Sequence, residues 1–196
     1  MRAAVSARPS DSAARVLSFI GLPPVLALPT AVLAGVRSGP TLTTALSVGG
    51  FLLTGCLLPT LLIVWLMRTG RVSALDLRER SERLLPSAVT ALGCACAAWV
   101  LARSGASRSV ADLALAISIQ MALLALLTTR WKVSYHTASA SALVLVSRTA
   151  TANVVLSLVL LLLAISIGWA RVYQRRHTPA QVAVGALTAL PVALFT

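Results

Sequence analysis

Charge is scarce in this chain. Only 11% of its 196 residues are charged, and five of those are acidic against seventeen lysines and arginines. A water-soluble domain carries about a quarter of its residues as charges to cover its surface, so the composition excludes that class. The net charge of +12 would suit nucleic acid on a soluble basic face, but no such face can be built here, and nucleic acid is excluded as a partner. In a membrane chain the same excess marks loops that face anionic headgroups or an anionic substrate. Cys56, Cys94 and Cys96 all fall within apolar runs. They offer neither a four-ligand metal site nor a disulfide framework, and read as small buried apolar residues. There is no glycine-rich phosphate loop, no HExxH helix and no CxxC pair. The N-terminal MRAAVSARPSDSAARVLSF lacks a compact apolar segment with a small-x-small cleavage site, so a cleaved signal peptide is not expected.

Apolar sequence fills the rest: 58% of residues are hydrophobic. They fall into runs at 15–35, 44–67, 84–102, 110–129, 136–148, 152–169 and 179–195, which predict an all-α polytopic transmembrane helical bundle behind a short basic tail, 1–14. Pro23, Pro24, Pro29 and Pro59 lie inside the first two runs and are tolerable only as kinks or breaks. The stretch from His136 to Ala170 is 35 residues, about 52 Å as one helix, too long for a single crossing of a ~30 Å core. Two short crossings reversed near 148–153 use that length, with small residues such as Ser139, Ala140, Ser141 and Ala142 allowing close contact.

Seven crossings put the N-terminus and the segments 68–83, 130–136 and 171–178 on one side, with thirteen of the bases. The other side holds four, Arg37, Arg103, Arg108 and Arg148. The basic side is then cytoplasmic, the N-terminus inside and the C-terminus external. On that basic side DLRERSERLLP (76–86), WKVSYH (131–136) and ARVYQRRH (170–177) meet at one membrane boundary, together with both histidines of the chain. Asp76, Glu79 and Glu82 stand among arginines and read as ion-pair partners that hold this segment. Arginine forks bind phosphate oxygens bidentately. One imidazole can attack phosphorus while a second donates a proton to the leaving oxygen. This set of residues suits phosphoryl transfer from an amphiphilic lipid phosphate or diphosphate.

ARVYQRRHTPAQ (170–181) resembles the third motif, SRxxxxxHxxxD, of the type 2 phosphatidic acid phosphatase (PAP2) family. Arg171 and His177 keep the spacing; Ala170 stands where the family has serine and Gln181 where it has aspartate. VSYH, ending in His136, resembles the second motif, usually PSGH. ERSERLLP, with Arg80 and Arg83 and with Pro86 displaced, is the weakest match, to the first motif KxxxxxxRP. The form RHTPAQ is similar to a bacterial branch of the family. The resemblance implies a PAP2-like six-helix core, with one extra helix accommodated at 84–102 and 110–129, in a bacterial cytoplasmic membrane. It implies a phosphatase that needs no metal or other cofactor, consistent with the scarcity of acids. His177 would be the nucleophile, His136 the acid and Gln181 the orienter. Arg171 and Arg83 would bind phosphate, with Lys132 and Arg80 as further contacts. Two other readings stay open: a catalytically weakened relative that binds lipid phosphate or serves a structural role, and an anion transporter component, which would prefer its polar groups near the bilayer midplane.

Overall fold

The computed structural model describes residues 9–75, 77 and 79–196. It is all-α: α1 (Pro9–Ile20), α2 (Pro23–Val36), α3 (Leu42–Leu52), a π-helical turn (Leu53–Leu57), α4 (Leu58–Arg68), α5 (Ser81–Arg103), α6 (Arg108–Thr128), α7 (Tyr135–Thr151), α8 (Val154–Tyr173), α9 (Pro179–Leu187) and α10 (Leu190–Phe195). Each apolar run becomes helix. Short polar residues set several of the starts. The side chains of Thr41, Ser107, Ser134, Asn153 and Thr178 each accept the backbone N–H three residues on, satisfying one of the donors that a helix start leaves open.

The breaks also have local causes. Gly21–Leu22 followed by Pro23-Pro24 separates α1 from α2 with a bend of 54°, as expected where two prolines remove donors. Pro59 leaves the carbonyl four residues earlier without an N–H, and the chain widens just upstream into the π-turn. Between α7 and α8 the reversal falls at Ala152, in the left-handed region at φ 51°, with Asn153 capping the next helix. α1 begins at Pro9, so residues 9–14 of the expected tail are helical.

Among the described residues four helical stretches are long and apolar enough to cross a membrane: Leu42–Arg68, Ser81–Arg103, Arg108–Thr128 and Val154–Tyr173; the bent α1–α2 pair makes a fifth. The other two of the seven runs are a 17-residue α7, rich in Ser and Thr, and the short apolar stretch Pro179–Phe195. The polarity of α7 follows from its place inside the bundle, packed on α2, α8, α9 and α10. Ala138, Ala140, Ala142, Leu143 and Val146 are buried along it.

The distribution of exposure is that of a helical bundle made for lipid. Leu158, Leu162 and Ile165 of α8 are 54%, 64% and 59% exposed, while Arg83 and Arg171 are 4% and 3% exposed. Of the three cysteines only Cys94 is buried; Cys56 is intermediate and Cys96 is exposed, because α5 turns one face to the core and the other outward. Opposite ends of the bundle gather the expected segments. At one, Ser38 Oγ meets Ser107 and Ser109 Oγ at 2.7 and 2.9 Å, and the Arg37 guanidinium donates to the Thr196 carbonyl. At the other, Ser18 Oγ donates to Gln174 Oε1 at 3.1 Å and the Tyr173 hydroxyl to Asp11 at 2.9 Å, fastening α1 on the end of α8.

Candidate functional site

That second end carries the chemistry. α8 ends at Tyr173, and the chain curls back so that the N–H groups of Arg176 and His177 both donate to the Arg171 carbonyl, at 3.0 and 3.2 Å. Arg175 takes a positive φ of 55° to make this turn. His177 is thereby folded under the start of α9, and is 6% exposed. Thr178 and Gln181 form a capping box: Thr178 Oγ1 accepts Gln181 N–H at 3.3 Å and Gln181 Oε1 accepts Thr178 N–H at 3.1 Å. The same Oε1 lies 3.2 Å from His177 Nδ1. Because the cap N–H fixes which atom of the amide is oxygen, His177 Nδ1 must be the donor, and the lone pair of the neutral ring is on Nε2. Nε2 is buried with no hydrogen-bond partner among the described residues.

His136 sits in the first turn of α7, 4% exposed, and its Nε2 is likewise buried without a partner among the described residues. Buried polar atoms are rarely left so, which makes both imidazole nitrogens candidates for contact with a ligand. Among the described residues, the charges that bear on His136 are Arg171, His177 and Arg83, and the Ser18 backbone lies beside it. The starts of α7 and α9 are locked together. Ser134 N–H donates to the Gln181 carbonyl at 3.2 Å and Thr137 Oγ1 to the Val182 carbonyl at 3.1 Å. A Cβ on Gly185 would stand 2.5 Å from the Ser134 carbonyl oxygen, so only glycine lets α9 come this close.

Arg83 enters from α5. Its Nε donates to the Leu77 carbonyl and its Nη1 to the Val133 carbonyl, both at 2.8 Å, and its guanidinium lies 5.3 Å over the Tyr135 ring. The Tyr135 hydroxyl is held by Ser87 Oγ at 2.8 Å and by Thr128 Oγ1 at 3.3 Å. Arg171, on the last turn of α8, faces both histidines. Lys132 is half-buried at the edge. Its ammonium is pushed below the usual lysine range, first by burial and then by Arg83, with Glu79 opposing and Arg176 and Arg171 adding to the shift. Burial, followed by Arg83 and Arg171, lowers His177 to about 4, the Gln181 bond opposing. His177 is therefore a neutral imidazole at neutral pH.

Six of the seven residues singled out in the sequence, His177, His136, Gln181, Arg171, Arg83 and Lys132, thus meet at one site. Arg80 does not join them. It is exposed at the N-cap of α5 and is not among the charges bearing on either histidine or on Lys132. Glu82 makes no ion pair among the described residues, although Arg83 acts on it electrostatically. Its carboxylate accepts from Ser73 N and Oγ at 2.8 and 3.3 Å and from Glu79 N at 3.1 Å, holding the loop through its backbone. Asp76 and Arg78 lie outside the described residues. Sequence reasoning missed Tyr135 as the platform for Arg83. It also missed the shared oxygen of Gln181, although Thr178-x-x-Gln181 is a capping-box signature. Among the described residues no three His, Cys, Asp or Glu side chains converge as metal ligands.

Comparison with protein-family models, curated proteins and solved structures gives no match. The likeness to the PAP2 pattern rests on the residues themselves.

Proposed function

We propose that the chain is a PAP2-like phosphatase of membrane lipids, hydrolysing a phosphate monoester or diphosphate through a phosphohistidine on His177. The observation that carries this reading is the neutral, oriented imidazole of His177, with Nδ1–H on Gln181 and a buried, unpartnered Nε2 among arginines. On this reading the three family motifs fall at the start of α5, the start of α7 and the α8–α9 junction, all at one end of the bundle.

Arg171 and Arg83 hold the phosphoryl oxygens and stabilise their charge. The Nε2 lone pair of His177 forms the P–N bond as the P–O bond to the lipid breaks. With the phosphate dianion bound beside Arg171 and Arg83, His136 carries a proton and gives it to the departing oxygen, releasing the lipid alcohol, or the lipid monophosphate from a diphosphate. Neutral His136 then takes a proton from water, which attacks phosphorus. The P–N bond breaks, inorganic phosphate leaves, and His136 is protonated again for the next cycle. Gln181 keeps the nucleophile in one tautomer throughout.

The test is phosphate release by purified protein in detergent, with EDTA present, from phosphatidate, phosphatidylglycerol phosphate, and polyprenyl mono- and diphosphates. Release that is lost in His177→Ala is the expected result. No release from any member of the panel, or release unaffected by His177→Ala, overturns the proposal. Retained phosphate binding without turnover would favour the binding-protein reading instead.

A further inference from the structure

We infer that the first helix completes the site: the carbonyl of Ser18 accepts the Nδ1–H of His136, which makes Ser18 a positioning residue and leaves Nε2 as the nitrogen through which His136 gives and takes protons. The contact stands on the fold alone; its use in catalysis rests on the phosphatase reading. His136 is 4% exposed and the Ser18 backbone lies beside its ring. Its Nε2 has no partner among the described residues, so the nitrogen that meets Ser18 is Nδ1.

The break after α1 is what frees that carbonyl. In a continuing helix the Leu22 N–H would donate to it, four residues back. Instead the Gly21 N–H closes on the Leu17 carbonyl at 2.9 Å and the Leu22 N–H tightens onto the Phe19 carbonyl at 3.1 Å, so the ladder steps over Ser18. Pro23 and Pro24 follow and bring no N–H. Carbonyls left over at a helix end take their partners from side chains or water. Here the chain bends by 54° and leaves the Ser18 carbonyl beside His136.

The carbonyl is braced where it stands. Ser18 Oγ donates to Gln174 Oε1 at 3.1 Å, tying the residue to the end of α8. Ile20 packs on the cluster that Ala140 and Leu143 of α7 form with Ala164 and Ile167 of α8. A Cβ on Gly21 would stand 2.7 Å from Ile167 Cγ2, so glycine lets the break lie against α8. An N–H fixed on a carbonyl sets the tautomer: the neutral ring keeps its lone pair on Nε2, and the charged ring holds its mobile proton there. His177 is held by the same device, with Gln181 Oε1 on its Nδ1. The two imidazoles thus keep equivalent nitrogens for the reaction, one to attack phosphorus and one to protonate the leaving oxygen and later take the proton of water.

The test reads the ring and the reaction in the full-length protein. The chain has two histidines, so nitrogen NMR of isotope-labelled imidazoles in detergent, assigned with His177→Gln, resolves His136. At about pH 8, where an imidazole is ordinarily neutral, Nδ1 should be the protonated nitrogen. Phenyllactate in place of Phe19 turns the Ser18 carbonyl into that of an ester, a poorer acceptor, and should move the His136 Nδ1 signal. Leucate in place of Leu17 costs α1 a similar backbone bond and should not. A proton on Nε2, or equal movement with both esters, overturns the inference. The ester at 19 should also slow phosphoenzyme formation from phenyl phosphate about 2- to 13-fold, the range a neutral hydrogen bond supports, and spare p-nitrophenyl phosphate, whose leaving group needs little protonation. Equal losses on both substrates overturn the positioning role. A second variant uses natural residues: Pro23→Ala/Pro24→Ala returns N–H groups to the ladder, draws the Ser18 carbonyl into it, and should give the same selective loss at an unchanged or higher Tm. Natural rates on phenyl phosphate in both variants overturn the role as well. Spectra as expected in a protein that releases no phosphate from any lipid would uphold the Ser18 contact and sink the phosphatase reading.

Discussion

Gln181 gives the sharpest test, because one oxygen does two jobs. Its Oε1 accepts from His177 Nδ1 at 3.2 Å and from Thr178 N at 3.1 Å. Gln181→Ala removes both. The lost cap should cost about 1 kcal/mol of stability. The lost bond to the ring, a neutral hydrogen bond worth about 0.5–1.5 kcal/mol net, sets the tautomer and aim of the nucleophile. If all of it is realised in the transition state, kcat falls roughly 2- to 13-fold. Gln181→Glu keeps the shape and both bonds but adds a charge. A carboxylate against an imidazole raises its pKa by about 1–3 units. The acid limb of the pH–rate profile, set by His177 near 4 in the natural protein, should therefore move upward in Glu. The sign is fixed: more of the ring is protonated at a given pH, so less nucleophile is present and activity is lost at a higher pH. The assay is kcat/KM for lipid phosphate from about pH 4 to 9, with Tm measured in parallel. Superimposable profiles for Gln, Ala and Glu would show that residue 181 does not orient the nucleophile. A fall in Tm with unchanged kinetics would leave it only the cap.

His177→Ala should abolish turnover and any trapped phosphoenzyme, whereas His136→Ala should slow turnover about 10²–10⁴-fold yet still build phosphoenzyme from a substrate with a good leaving group; rapid-quench labelling distinguishes them. Tyr135→Leu removes the ring under Arg83, a contact worth about 0.5–2 kcal/mol, and should raise KM more than it lowers kcat, while Tyr135→Phe keeps the ring and should stay near the natural protein in steady-state assays. For topology, single cysteines at the exposed positions Ser73 and Arg130 should be protected from an impermeant thiol reagent in intact cells while one at exposed Ser104 labels, the native cysteines having been removed. Labelling at all three would refute a cytoplasmic site.

Element positions were legible from the apolar runs, and the helix starts are further marked by short side chains that the runs alone did not use. Thr41, Ser107, Ser134, Asn153 and Thr178 stand just before apolar runs, and the need to reverse 35 residues pointed to the turn that Ala152 and Asn153 make. What prolines do was only half legible. Pro23-Pro24 and Pro59 announced irregularity, but whether each gives a bend or a wider turn depends on neighbours, and Pro29 and Pro86 are accommodated inside α2 and α5. The two histidines and Arg171 were singled out by their basic neighbours at one membrane face and by the resemblance to the family motifs. The choice between Arg80 and Arg83 was not, since they differ by less than one turn. It is settled by the inward face of α5, on which Arg83, Ser87, Thr90, Cys94 and Ala97 are buried at intervals of four and three. For Glu82 the arginines of the segment were legible, but not the loop N–H groups of Ser73 and Glu79 that bind the same oxygens.

The amide at 181 also has a physical logic on the proposed mechanism. Among the described residues, the charged groups that bear on His177 are Arg83, Arg171 and Lys132. A carboxylate in their midst would be drawn to them and would cancel part of the field that binds the phosphate. An amide orients the ring without adding a charge of its own, so it leaves the imidazole neutral. A general-base histidine ends its step as a free imidazolium and needs an anion behind it. For a histidine that attacks phosphorus that need is smaller, although the PAP2 pattern keeps an aspartate there. The positive charge that develops on its ring is bonded to a phosphoryl group whose oxygens carry the compensating charge, and Arg171 and Arg83 balance the remainder. For that step the groups behind the ring need only fix its tautomer and aim, which a glutamine carbonyl held by the Thr178 N–H can do.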